Sequence, residues 1–222
     1  MIDVACILDD RPDAAALCAH VQATAEDPLA SPWEVLIDGP GIAMAGRRRA
    51  GRDPERDLRT CAGQVLVLHG DLPGGLDAEL DRGDKLVDRL IDRPPAGLFN
   101  LFVWDARERC LHVCPDRLGL KPLFYRCFDG RTVLATRLDL MAAMCHGIGW
   151  DVQGVAQMLA AGFCMDERTV LSGVRVPPVA TASRFSAGCV HWRALPAVAC
   201  AAADTPDQAE LVGALDERLQ RA

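Results

Sequence analysis

The residues able to do chemistry fall in a few short clusters. Cys110-x-His112-x-Cys114 sets two thiols and an imidazole at alternate positions, which on a strand puts all three on one face. That is part of a zinc site. A structural zinc takes four ligands, however, and no C-x-x-C pair supplies the rest, so core packing is the expected role and no metal is expected. Residues 65–80, VLVLHGDLPGGLDAEL, imitate a strand–loop–helix that cradles a nucleotide phosphate. Pro73 stands where a hydroxyl is needed, and Ala78 and Glu79 replace the other phosphate contacts, so no ATP site is expected there. Asp116-Arg117 has the residue types of an acid–base pair but reads better as structure, with Asp116 capping a turn and Arg117 paired to an acid. Cys6 lies inside an apolar run with no base beside it, which suits a buried thiol.

The elements that must position these groups follow from composition and pattern. The chain has 222 residues, half of them hydrophobic, enough for one domain with an ample core. Its net charge is −7 with scattered basic residues, which argues against nucleic acid. The cluster Arg47-Arg48-Arg49 with Arg52 is too short to change that. No apolar run reaches membrane-spanning length, and the acid-rich start lacks signal-peptide character, so a cytoplasmic protein without membrane contact is expected. The ten cysteines are then expected to stay thiols.

Residues 97–140 organise the whole: apolar strands at 97–104, 110–114, 123–127 and 133–136, with Asp129-Gly130 as a hairpin turn. Their continuous apolar character predicts burial on both faces, in adjacent antiparallel strands of one sheet. Before them come a strand at 2–8, an Ala-rich helix at 14–25 capped by Asp13, and a hairpin around 38–41. Then follow a polar loop at 47–58, a strand at 65–68 and a broken helical pattern over 76–92. After them come helices at 138–145 and 152–161, the second with Val155, Met158 and Leu159 on one face, and strands over 170–192. Residues 196–222 read as an Ala-rich connector and a helix opened by Thr205-Pro206, with Leu211, Leu215 and Leu219 in one stripe. The expected class is α+β.

Gly97-x-Phe99, Trp104-Asp105 and above all Asp116–Tyr125, DRLGLKPLFY, resemble the N-terminal class II glutamine amidotransferase domain of the asparagine synthetase family. Residues 169–178, TVLSGVRVPP, and the later His191-Trp192 extend the likeness over nearly the whole chain. The resemblance implies a four-layer αββα sandwich of the N-terminal nucleophile hydrolase type with two facing antiparallel sheets. The glutaminase-like domain would span residues 1–195. Residues 196–222 would lead to, or dock on, an ATP-dependent synthetase domain or subunit.

In that family the nucleophile is a cysteine directly after the initiator methionine, activated by its own α-amine. Ile2 occupies this position, so no catalytic residue is expected. The glutamine pocket is implied as a vestige. Arg49 would bind the substrate carboxylate, and His69-Gly70-Asp71 stand for an Asn-Gly-Glu segment supplying oxyanion donors. Asp84, within Arg82-Gly83-Asp84, would hold the amine. Arg49 and Asp84 are equally readable as solvated loop charges. The expected function is a catalytically dead scaffold for an ATP-dependent amide-forming synthetase, of the asparagine synthetase, β-lactam synthetase or lasso-peptide cyclase type. ATP and Mg would be held only by the synthetase part, and a homodimer is compatible. Two alternatives stand beside it: a stand-alone amino-acid-binding regulatory module, and an active glutaminase with a mis-assigned start.

Overall fold

A computed structural model of the chain describes residues 2–24, 31–48, 57–61, 63–73, 75–80, 86–197, 212, 213, 216 and 217. Among the described residues, eleven strands form two antiparallel sheets. The first has the order β2-β3-β1-β9-β8, from β1 (Ile2–Leu8), β2 (Glu34–Gly39), β3 (Ile42–Arg48), β8 (Phe124–Phe128) and β9 (Arg131–Ala135). The second has the order β11-β10-β7-β6-β5-β4. It is built from β4 (Leu58–Cys61), β5 (Gln64–Asp71), β6 (Leu98–Asp105), β7 (Cys110–Pro115), β10 (Thr181–Ser186) and β11 (Cys189–Ala194).

Alternation along the strands creates three apolar clusters. Ile2, Val4, Cys6 and Leu8 of β1 meet Val67, Phe102, Leu111, Val113 and Phe185 of the other sheet, so these faces pack on each other. The opposite face of the first sheet, with Ala5, Ala43 and Ala135, carries α1 (Ala14–Thr24) and α4 (Leu138–Met144) through Leu17, Val21, Leu140 and Met141. Small residues on that face let the helices sit close. The far face of the second sheet, with Leu66, Phe99 and Leu101, carries α2 (Gly75–Leu80) and α3 (Leu86–Asp92) through Leu76, Leu86 and Leu90. The architecture is α+β.

Residues 97–136 do not form a single sheet. Strands β6 and β7 pair in the six-stranded sheet, whereas β8 and β9 pair in the five-stranded one. The segment between them carries the chain from one layer to the other, and Asp116 is what holds it. Its buried carboxylate accepts from the backbone N–H groups of Leu118 (2.9 Å), Leu120 (3.1 Å) and Lys121 (3.3 Å). Arg117 makes no ion pair among the described residues. The region expected as a loop over 47–58 supplies the end of β3, and the short edge strand β4 opens at its last residue. The regular strands expected over 170–192 begin only at Thr181.

Helix α5 (Val152–Ala161) is capped by Asp151, which accepts from the Gly154 N–H at 2.9 Å, and ends at Gly162 in the left-handed region. Gly154 is its only buried residue. The helix therefore presses its backbone against Thr169 and Val170 and leaves its apolar side chains outside: Leu159 is 83% exposed and Trp150, just before it, 72%. The face carrying Met158 and Leu159 is not buried against this chain.

Candidate functional site

Strand β5 runs on through His69-Gly70-Asp71, beyond the strand expected over 65–68. His69 is buried, Asp71 exposed, and the register sets His69 opposite Asn100 and Gly70 opposite Phe99. Gly70 has φ +123°, and a Cβ there would lie 2.2 Å from the Leu98 carbonyl oxygen. Gly97, with φ +148°, has the same relation to the Asp71 carbonyl oxygen at 2.6 Å. The two glycines let the ends of β5 and β6 close on each other, and that closure brings His69 to Asn100.

Asn100 is buried. Its amide nitrogen lies 3.4 Å from His69 Nδ1 and donates to the carbonyl oxygens of Lys121 (3.2 Å) and Pro122 (3.3 Å). This contact suits a neutral imidazole. Burial lowers the His69 pKa to about 4, Asp3 opposes the shift, and Lys121 adds to it. Asn100 also floors a cleft of about 280 Å³ walled by Leu120, Pro122, Pro177, Pro178 and Val179.

The start of β1 contributes a second polar group. Asp3 pairs with Arg47 at 3.3 Å and with Arg137 at 3.4 Å, and Arg137 also holds Asp139 at 2.6 Å. Arg47 is buried, with its guanidinium 5.2 Å from the Trp33 ring centroid. Sequence reasoning gave no site role to Asp3, Arg47, Asn100, Lys121 or Arg137. The signal for Arg47 was its period-2 place at the end of an apolar strand. Asp3 and Arg137 are 134 residues apart, a pairing no local pattern announces. Arg49 and Asp84 lie outside the described residues, as do Leu211, Leu215 and Leu219.

No activated thiol belongs to this group. Ile2 is wholly buried between the sheets, and Cys6 lies in the same cluster with its thiol pKa strongly raised by burial. Burial pushes Cys114 up to about 12, and Cys18, Cys110, Cys127 and Cys145 are raised for the same leading reason. The nine described cysteines are free thiols. The cluster thus offers an amide donor, a neutral imidazole and a carboxylate held by two guanidinium groups.

The Cys110-x-His112-x-Cys114 face divides. Cys114 is buried under α2 and α3, while Cys110 and His112 meet Glu108 of the preceding turn. Residues 65–80 do not fit a nucleotide phosphate: they contain no hydroxyl side chain, and Leu72 and Leu76 belong to the core.

Residues 76–193, just over half the chain, match the family described as glutamine amidotransferase domain. The chain belongs to that family. Curated relatives of this glutamine amidotransferase domain include proteins provisionally named asparagine synthetase (glutamine-hydrolyzing) in Mycobacterium bovis and Mycobacterium tuberculosis. They are 29% identical over 97 residues, which is 44% of this chain and 14% of each relative. The match thus spans about one-seventh of the relatives' length. Among solved structures, a glutamine phosphoribosylpyrophosphate amidotransferase from B. subtilis, complexed with ADP and GMP, is similar at TM-score 0.46 and 12% identity. It is matched over 86% of this chain and 49% of its own. The allosteric regulatory enzyme of purine biosynthesis is similar at TM-score 0.48 and 14% identity, over 86% and 48% of the two chains. Among the described residues, no helix is long and apolar enough to cross a membrane.

Proposed function

We propose that this amidotransferase domain does not hydrolyse glutamine and serves as a scaffold for an ATP-dependent amide-forming synthetase domain or subunit. The synthetase would be of the asparagine synthetase, β-lactam synthetase or lasso-peptide cyclase type, and the layering that of an αββα N-terminal nucleophile hydrolase. The observation that carries the reading is the head of β1. Ile2 fills the space between the sheets with hydrocarbon where the family resemblance expects a thiol. The buried, proton-retaining state of Cys6 and Cys114 supports it, since a thiol that keeps its proton is a poor nucleophile. ATP and Mg²⁺ belong to the synthetase part. Residues 65–80 contain no hydroxyl side chain to meet a phosphate, and no step here runs through either.

Purified alone, the chain should release no ammonia from glutamine above the buffer rate, and the Ile2→Cys variant should stay essentially inactive. His69 replaces an amide donor, and loss of one oxyanion donor typically costs about 100–1,000-fold in rate. An intact-mass measurement on the assayed sample fixes its N-terminus. Glutamine turnover by the unmodified chain would overturn the reading.

The scaffold role predicts a docking surface, and the outward face of α5 with Trp150 is the strongest candidate. Covering a side chain such as Leu159 contributes about 1.5–3 kcal/mol. Leu159→Asp should therefore leave the domain's own melting temperature unchanged. It should weaken co-purification with a co-expressed asparagine synthetase-type partner by roughly tenfold or more. Equal recovery of wild type and variant removes α5 from the interface, and a sedimentation shift without partner assigns the face to a homodimer.

A further inference from the structure

We propose that Glu108, Cys110 and His112 form a binding site for zinc-class divalent cations on the outer face of the six-stranded sheet. Cys110 and His112 alternate along β7 and share the side away from the intersheet core that takes Leu111 and Val113, and Glu108 of the preceding turn brings its carboxylate to them. Their ligand atoms all lie within 4.8 Å of one another. Cys110 Sγ is 3.3 Å from His112 Nε2 and 3.6 Å from Glu108 Oε2. A tetrahedral zinc at ordinary bond lengths places its sulfur, nitrogen and oxygen ligands about 3.3–3.6 Å apart. Two of the three separations are therefore already near those of the bound state. The turn that carries Glu108 is fixed at its backbone: Asp105 accepts from the N–H groups of Arg107 (2.9 Å) and Glu108 (3.1 Å).

One thiolate, one imidazole and one carboxylate suit Zn²⁺, or Co²⁺ as its spectroscopic stand-in, better than Mg²⁺ or Ca²⁺. On binding, the Cys110 proton passes to solvent and the sulfur enters as thiolate, so the two anionic ligands balance the cation. Arg184 on β10 opposes this. Its guanidinium donates to Glu108 at 3.2 Å and must yield the carboxylate to the metal. The fourth position stays open to water or an outside ligand. A second pair, Cys189 and His191, sits on β11 with Sγ and Nε2 3.3 Å apart. β10 lies between, putting β11 about 10 Å from β7 at normal strand spacing, with Arg184 opposite both His112 and His191. Lacking a carboxylate, that pair serves as an internal control.

The test is titration of the chelator-treated full chain with Co²⁺, followed by thiolate-to-cobalt charge-transfer absorption, then displacement by Zn²⁺. One equivalent should bind. His112→Ala and Cys110→Ser should weaken binding by more than the roughly 10–100-fold that outer-shell changes cost, and Glu108→Gln by about that much. Arg184→Gln should tighten it. Cys189→Ser with His191→Ala should leave it unchanged. Cys110 is buried, so if its serine variant fails to fold, the exposed Glu108 and half-buried His112 still decide the matter. Absence of a charge-transfer band in wild type, or a band that survives His112→Ala and disappears with Cys189→Ser, overturns the site. The outcome is independent of the glutaminase assay, which tests the other face of the sheet.

Discussion

Replacing Gly70 with alanine should cost the domain about 3–5 kcal/mol, one of the larger losses a single methyl group can cause. Two effects add. A residue with Cβ at φ +123° is strained by roughly 1–3 kcal/mol on its own. The new atom would also meet the Leu98 carbonyl oxygen at 2.2 Å and the Phe99 Cα at 2.8 Å, both backbone, so no side chain can turn aside. Strands β5 and β6 must part, and the His69–Asn100 contact beside them opens. For a chain of this length the melting temperature should fall by about 2–4 °C per kcal/mol. Gly147→Ala separates the two effects: its φ is +71° but its surroundings are open, so only the backbone term applies, about 1–2 kcal/mol. Equal losses at both positions would show that the close approach at Gly70 is not what its glycine serves.

That example marks where the sequence was legible. Gly70 drew attention as part of a three-residue segment, but the apolar run that marks the strand stops at Leu68. It continues a strand because Gly97 on the facing strand is equally bare, a complementarity between positions 27 apart that local pattern does not carry. The β8–β9 hairpin was readable because Asp129-Gly130 determines it locally: both residues have positive φ, at 47° and 73°. Helix α5 was readable from its period, whereas its exposure was not, since an apolar stripe says that something covers it and not what. The division of residues 97–136 between two sheets escaped for a related reason. Strands apolar on both faces fit either sheet, and the deciding group is the Asp116 carboxylate, which ties the crossover to its own backbone. Glu108, two residues before Cys110, was not announced by the strand period, because it lies in the turn with Arg109 at φ 49° between them. The alternation of Cys110, His112 and Cys114 names a thiol that the helices on that face cover instead.

Acid should destabilise this domain well above the pH at which carboxylates protonate, and His69 should be the main cause. Burial holds its imidazole neutral, with a folded pKa of about 4 against about 6.5 for an unfolded histidine. Below pH 6.5 the unfolded chain takes up a proton that the folded site refuses. The stability associated with neutral His69 is thus fully present above pH 6.5 and shrinks as pH falls toward 4, by on the order of 3 kcal/mol. Beneath that point the folded site protonates as well and the loss levels off. His112, also lowered chiefly by burial, contributes in the same direction over the upper part of this window. Asp105, held low by its Gln64 hydrogen bond, and Asp151, held low by the Gly154 N–H, act only below the ordinary carboxylate range. The measurement is the urea unfolding free energy at intervals from pH 7.5 to 4. His69→Gln, which cannot titrate, should remove most of the slope between pH 6.5 and 4.5 whatever its effect at pH 7.5. A slope unchanged by the substitution, or a His69 ring proton titrating near pH 6.5, would mean that the imidazole is not buried against Asn100 as described. A midpoint near 4 would place a neutral, acceptor-side Nδ1 opposite the Asn100 amide at every pH where the domain is stable.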